Sequence, residues 1–81
     1  MATNHELALY VMTGCPYCLK VKHFLADNGV TIPERNISTD TEAEQTLIAV
    51  GGKRQGPCLF IDGKPLYESN DIITWVQENL L

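Results

Sequence analysis

The sequence predicts an α/β fold of order β-α-β-α-β-β-α, built on one mixed four-stranded sheet with helices on both faces. Three observations predict it. An apolar run is followed at once by a helical pattern and then a weaker extended run. That order is a strand–helix–strand unit, which implies a parallel pair joined by a right-handed crossover. Further on, two short apolar runs flank Asp62-Gly63, a strong hairpin signal that adds an antiparallel edge. Finally, 81 residues of which 44% are hydrophobic suffice for one small core, so residues 1–81 are expected to form a single domain.

Each element has its own signature. Glu6 to Met12 (ELALYVM) is short, apolar and flanked by turn-prone residues, as a buried strand is. Pro16 suits the first turn of a helix, where its missing N–H costs nothing. Val21, Phe24 and Leu25 give that helix an apolar stripe, and Asn28-Gly29 ends it. Val30 to Ile37 reads as a strand whose Pro33 points to an edge or a bulge. The stretch STDTEAEQ carries helix-start signals and early acids that suit the positive end of a helix dipole. Ala43, Leu47 and Val50 follow at helical spacing, and Gly51-Gly52 stops the run. PCLFI and KPLYE are the hairpin strands. Ser69 is expected to cap a last helix whose Ile72, Ile73, Val76 and Leu80 face inward.

Composition excludes several classes of function. Six Lys and Arg against ten Asp and Glu leave a net charge of −4, and a nucleic-acid binder needs a basic surface to displace counterions. No apolar run approaches the roughly 20 residues of a membrane span. The opening MATNHELALYVM has no basic residue before its apolar part and does not read as a secretory signal, so a cytoplasmic location is expected. Three cysteines are an odd count and too few for a secreted disulfide framework, which suits a reducing compartment. The basic residues cluster as Lys20 with Lys22 and Lys53 with Arg54, a potential small-anion site if the fold unites them.

The chemistry centres on TGCPYCLKVKHF. Cys15 falls just ahead of the first helical turn and Cys18 inside it, so the two share a helix face. Helix-start N–H groups and the helix dipole favour an anion at Cys15, and the thiolate is the nucleophilic form. Cys15 is the expected attacker on a disulfide, and Cys18 the thiol that resolves the mixed disulfide. Other readings of the pair stand beside this one. A zinc site would need two more ligands at metal spacing, and Cys58, His5 and His23 form no second pair. A structural crosslink would close a ring too small to constrain the unfolded chain much. An iron–sulfur cluster between two chains is a further alternative. Cys58 reads either as a small core hydrophobe or as an extra resolving thiol. Tyr10, Phe60 and Trp75 read as core, and His5 and His23 as exposed.

CPYC after a first strand, together with GPCLFIDGKPLYESNDI, resembles the glutaredoxins of the thioredoxin-like fold, over nearly the whole chain. The resemblance implies a cis-proline at Pro57 opening the third strand and facing the cysteines. It also implies a glutathione site at Tyr17, at Gly56 and Pro57, and at the start of the last helix, where Glu68, Ser69 and Asn70 stand. A helix start offers N–H groups to a carboxylate. The last third is similar to the glutathione transferase N-terminal domain, whose Glu-Ser pair meets the γ-glutamyl end of glutathione, but 81 residues leave no length for a transferase's second domain. Three departures stand out. No lysine precedes Cys15, Met12 being near the usual place; Lys20, Lys22, Lys53 and Arg54 are the candidate substitutes. Gln55-Gly56 replaces the usual Thr-Val, with the loss of a packing side chain. YESND replaces the usual Gly-Gly and paired acids.

The expected function is therefore a glutathione-dependent thiol–disulfide oxidoreductase. Glutathione is its co-substrate, no metal is needed, and the substrates are disulfide-containing or glutathionylated proteins. A monomer free of nucleic acid and membrane is expected. Two alternatives are a glutaredoxin-like electron donor reduced by thioredoxin reductase and a glutathione-ligated iron–sulfur carrier.

Overall fold

The computed structural model describes residues 5–81. Residues 1–4, part of the opening segment read for a secretory signal, lie outside them. The elements are β1 (Leu7–Val11), α1 (Pro16–Asp27), β2 (Glu34–Asn36), α2 (Thr41–Thr46) running on into a π-helical turn (Leu47–Gly51), β3 (Cys58–Ile61), β4 (Lys64–Tyr67) and α3 (Ser69–Asn79). The sheet order is β2-β1-β3-β4. β1 pairs parallel with β2 and antiparallel with β3, and β3 pairs antiparallel with β4. The mixed four-stranded sheet read from the sequence is the one observed.

Side-chain alternation along the two central strands divides the core. Leu9, Val11 and Leu59 meet Cys18, Val21, Leu25, Ile72 and Val76 of α1 and α3 on one face. Tyr10, Cys58 and Phe60 meet Ala43 and Leu47 of α2 and its π turn on the other. Both faces are covered, which is why β1 and β3 read as unbroken apolar runs. The helices follow the same rule. Val21 and Leu25, like Ile72 and Val76, are four apart and stack on one helix face.

Three details differ from the sequence reading. The extended run Val30 to Ile37 forms a strand only at Glu34–Asn36. Pro33 has no N–H for a ladder, so the chain contributes its carbonyl instead, which accepts from the Leu9 N–H at 2.8 Å. β2 is an edge, as Pro33 indicates. Val50 is not core but 50% exposed. The wider π turn after Thr46 advances each residue by less than an α turn does, and rotates Val50 off the face of Ala43 and Leu47. Ser69 is the first helical residue rather than the cap. β4 and α3 are separated by Glu68 alone, which turns the corner with a positive φ of 72° and no side-chain capping bond. Asp40, by contrast, caps α2 by accepting the Ala43 N–H at 3.1 Å.

The Asp62-Gly63 hairpin has positive φ at both positions, 53° and 83°. That is the backbone a two-residue turn needs to match the strand twist. No helix among the described residues is long and apolar enough to cross a membrane.

Candidate active site

Cys15 occupies the cap position of α1, with extended backbone (φ −90°, ψ 112°). Its Sγ accepts the N–H of Cys18 at 3.2 Å, so the sulfur takes the place that a serine or aspartate oxygen takes in an ordinary cap. Pro16 forms the first turn and leaves no orphan N–H there. Cys15 is half-buried, whereas Cys18 is only 2% exposed and belongs to the α1–α3 core. Neither forms a disulfide. Burial, and then the hydrogen-bonded Cys15 thiol beside it, push the Cys18 thiol up to about 12. At neutral pH Cys18 therefore stays protonated and Cys15 is the more accessible sulfur.

The Gly56-Pro57 peptide bond is cis. The Gly56 carbonyl lies 3.7 Å from Cys15 Sγ, in line to accept the thiol proton. The glycine is required by the approach: a methyl group at position 56 would stand 2.9 Å from Cys18 Sγ and 3.1 Å from Met12 Cγ. The packing side chain that the Gln55-Gly56 pair lacks is thus replaced by Cys18 and Met12, which fill that space themselves.

A cleft of about 280 Å³ opens beside the cysteines. Tyr17, Gly56, Pro57, Glu68, Ser69 and Asn70, all read from the resemblance, border it together. Tyr17 is 63% exposed on its rim, an aromatic side chain left uncovered next to a polar groove. Ser69 is buried at its floor. Two further residues line it: Lys20, one of the candidate substitutes for the missing lysine, and Gln55, which the sequence reading noted only as a departure. Lys20 reaches in from α1 and donates to Asn70 Oδ1 at 2.6 Å, and Gln55 Nε2 lies 3.5 Å from Glu68 Oε1 across the cleft. Lys20 stands three residues after Tyr17, which puts both on one helix face.

The four cations considered as substitutes for a lysine before Cys15 do not converge. Lys22 pairs with Glu34 at 3.4 Å, Arg54 with Glu44, and Lys53 lies over the Tyr67 ring. Only Lys20 lines the cleft. Cys58 is fully buried in the other core layer, across the sheet from Cys18. Burial pushes its thiol up to about 11. It is a core residue, as the first of its two readings has it. His5 and His23 are exposed, as expected, and the His5 ring is bonded to Asp62 at 2.7 Å. Tyr10 and Phe60 stack in the α2-side core, while Trp75 is half-buried with its ring edge against His5. Among the described residues no group of three or more His, Cys, Asp or Glu side chains gathers as a metal-binding set.

A pair of thiols at a helix start, facing a cis-proline on a mixed four-stranded sheet, defines a domain of the thioredoxin-like fold. The glutaredoxin family model matches residues 7–66. The chain belongs to the glutaredoxin family, whose members are thiol–disulfide oxidoreductases. Glutaredoxin 1 of Rickettsia felis is 37% identical over 63 residues, which cover 75% of this chain and 62% of that protein. This chain therefore matches less than two thirds of that relative's length. A probable glutaredoxin of Synechocystis sp. is 33% identical over 73 residues, 89% of this chain and 83% of that one. The crystal structure of the thioredoxin-like protein BC3987 superposes with a TM-score of 0.76 at 28% identity, over 89% of this chain and 96% of the other.

Proposed function

We propose that this protein is a glutathione-dependent thiol–disulfide oxidoreductase acting through Cys15 and Cys18. The observation that carries the reading is the contact of Cys15 Sγ with the Gly56 carbonyl at 3.7 Å, at the edge of a peptide-sized polar cleft. An extended cysteinyl peptide laid along Gly56 would bring its sulfur to Cys15. The α3 start would receive a carboxylate through its free N–H groups, with Lys20 adding positive charge. Glu68 would face an ammonium group, and Tyr17 would cover the flank. These are the two charged ends of a γ-glutamyl residue.

The Cys15 thiolate attacks the glutathionyl sulfur of a mixed disulfide. The old S–S bond breaks and the substrate leaves as a thiolate that takes up a proton. A second glutathione then attacks the Cys15–glutathione disulfide, giving glutathione disulfide and free Cys15. On a protein disulfide, Cys15 bonds to one sulfur and frees the other as a thiolate; Cys18 then attacks Cys15 Sγ, releases the bonded sulfur as the second thiolate, and leaves an internal disulfide for glutathione to reduce. The raised Cys18 pKa favours the first route at neutral pH, because resolution needs its thiolate. On this reading residues 1–81 work as one monomeric domain in the cytoplasm, on glutathionylated or disulfide-bonded proteins.

One observation favours a second electron source. Met12, an apolar side chain, stands against Gly56 where the resemblance leads one to expect a lysine for a glutathione carboxylate. Thioredoxin reductase would then supply the electrons. A coupled assay with each reductant decides: consumption of reducing equivalents with glutathione and glutathione reductase supports the proposal. Turnover with thioredoxin reductase and none with glutathione overturns it.

A further inference from the structure

The two walls of the cleft are fastened together behind it. One wall is the segment that follows the π turn, ending in Gln55-Gly56-Pro57. The other is the corner at Glu68 with the start of α3. Tyr67, the last residue of β4, sits between them on the face away from the cysteines. Its hydroxyl donates to the Lys53 carbonyl at 2.8 Å, and the Lys53 ammonium lies 4.6 Å from its ring centroid. One residue further on, Glu68 meets the Gln55 amide. Burial and the neighbouring Cys58 thiol raise the Tyr67 pKa, so the phenol keeps the proton it donates.

Gly51 completes the arrangement. A methyl group at position 51 would lie 2.1 Å from the Tyr67 hydroxyl oxygen, so only glycine leaves room for it. Tyr67 stands in the YESND stretch where the resemblance places the Gly-Gly pair, so the large side chain at 67 is a departure, and the glycine at 51 is what accommodates it. The corner that follows Tyr67 is the positive-φ Glu68, a conformation that persists only when its surroundings hold it.

We propose that Tyr67 is a positioning residue that clasps the Lys53–Gln55 wall to the Glu68 wall and thereby sets the width of the cleft. The clasp stands on the geometry alone, while its effect on turnover rests on the glutathione reading. Its test uses Tyr67→Phe, Gly51→Ala and the double variant, with two readouts. The first is amide hydrogen exchange over residues 51–57, with β1 and α1 as internal controls for intact folding. The second is KM and kcat for the mixed disulfide of glutathione and cysteine. Exchange in 51–57 is expected to rise in both single variants. KM is expected to rise about fivefold, the equivalent of one hydrogen bond, while kcat does not fall. Adding Gly51→Ala to Tyr67→Phe should cost less than adding it to the wild type, since the 2.1 Å clash with the oxygen is gone and only ring carbons at 3.0 and 3.2 Å remain to be relieved. Unchanged exchange in Tyr67→Phe overturns the clasp whatever the substrate. Faster exchange with unchanged KM overturns the control of cleft width. Faster exchange in a protein whose wild type ignores the glutathione substrate leaves the clasp standing and removes the glutathione reading instead.

Discussion

The sulfur of Cys15 lies 3.7 Å from the carbonyl oxygen of Gly56, a residue 41 positions away along the chain. That contact joins the start of α1 to the cis peptide before β3, and it depends on position 56 having no side chain. Gly56→Ala would press a methyl group against Cys18 Sγ and Met12 Cγ. Overpacking of this kind costs about 1–3 kcal/mol. Chemical denaturation should show the loss, accompanied by slower turnover because the cis segment is pushed away from Cys15.

The two buried thiols make stability fall in alkali. Cys18 is raised from an ordinary value near 9 to about 12, and Cys58 to about 11, in both cases chiefly by burial. The folded protein holds these protons more tightly than the unfolded chain. The stabilisation is therefore complete below about pH 9 and is lost as pH rises toward 12. Melting temperatures measured from pH 8 upward should drop beyond pH 9, and Cys18→Ser should flatten the drop by removing the larger contribution.

Cys58 should be silent toward reagents that reach the redox pair. Its side chain is fully buried beneath α2 and its π turn, while Cys15 is half-exposed. Alkylation under native conditions, read by peptide mass spectrometry, is expected to modify Cys15 first and leave Cys58 unmodified until the protein unfolds. Early labelling of Cys58 would contradict the assignment of that residue to the core.

Glu68 carries backbone strain at the edge of the cleft. Its positive φ is strained for a residue with a side chain, typically by about 1–3 kcal/mol, whereas the added chain entropy of glycine costs about 0.5–1 kcal/mol. Strain is the larger effect, so Glu68→Gly should raise the melting temperature. The same change removes a carboxylate from the cleft and should raise KM for a glutathione mixed disulfide. A variant that is more stable and binds equally well would show that Glu68 has no part in binding.

Much of this was legible in the sequence because periodicity and position carry physical information. Leu9 and Tyr10 sit in a run apolar on both faces, which requires a doubly covered strand. Asp62-Gly63 fits the positive φ values of a tight turn, and Pro16 fixes where α1 begins. The residues of the cleft were legible only through the resemblance, since nothing local to Tyr17 or Asn70 says that they meet. What could not be read depends on tertiary packing. The π turn that swings Val50 outward has no pattern of its own. The face of the sheet that receives Cys58 depends on a strand register one residue more or less would reverse. The Tyr67–Gly51 match joins residues 16 positions apart in sequence, and only the hairpin brings them together.

The most direct measurement of the central claim is the intact mass of the Cys18→Ser variant after exposure to glutathione disulfide. With the neighbouring Cys18 thiol removed, Cys15 should accumulate as a single glutathionyl adduct, mapped to the peptide containing Cys15 and released by fresh glutathione. Recovery of the protein without an adduct, or with the adduct on Cys58, would contradict the account.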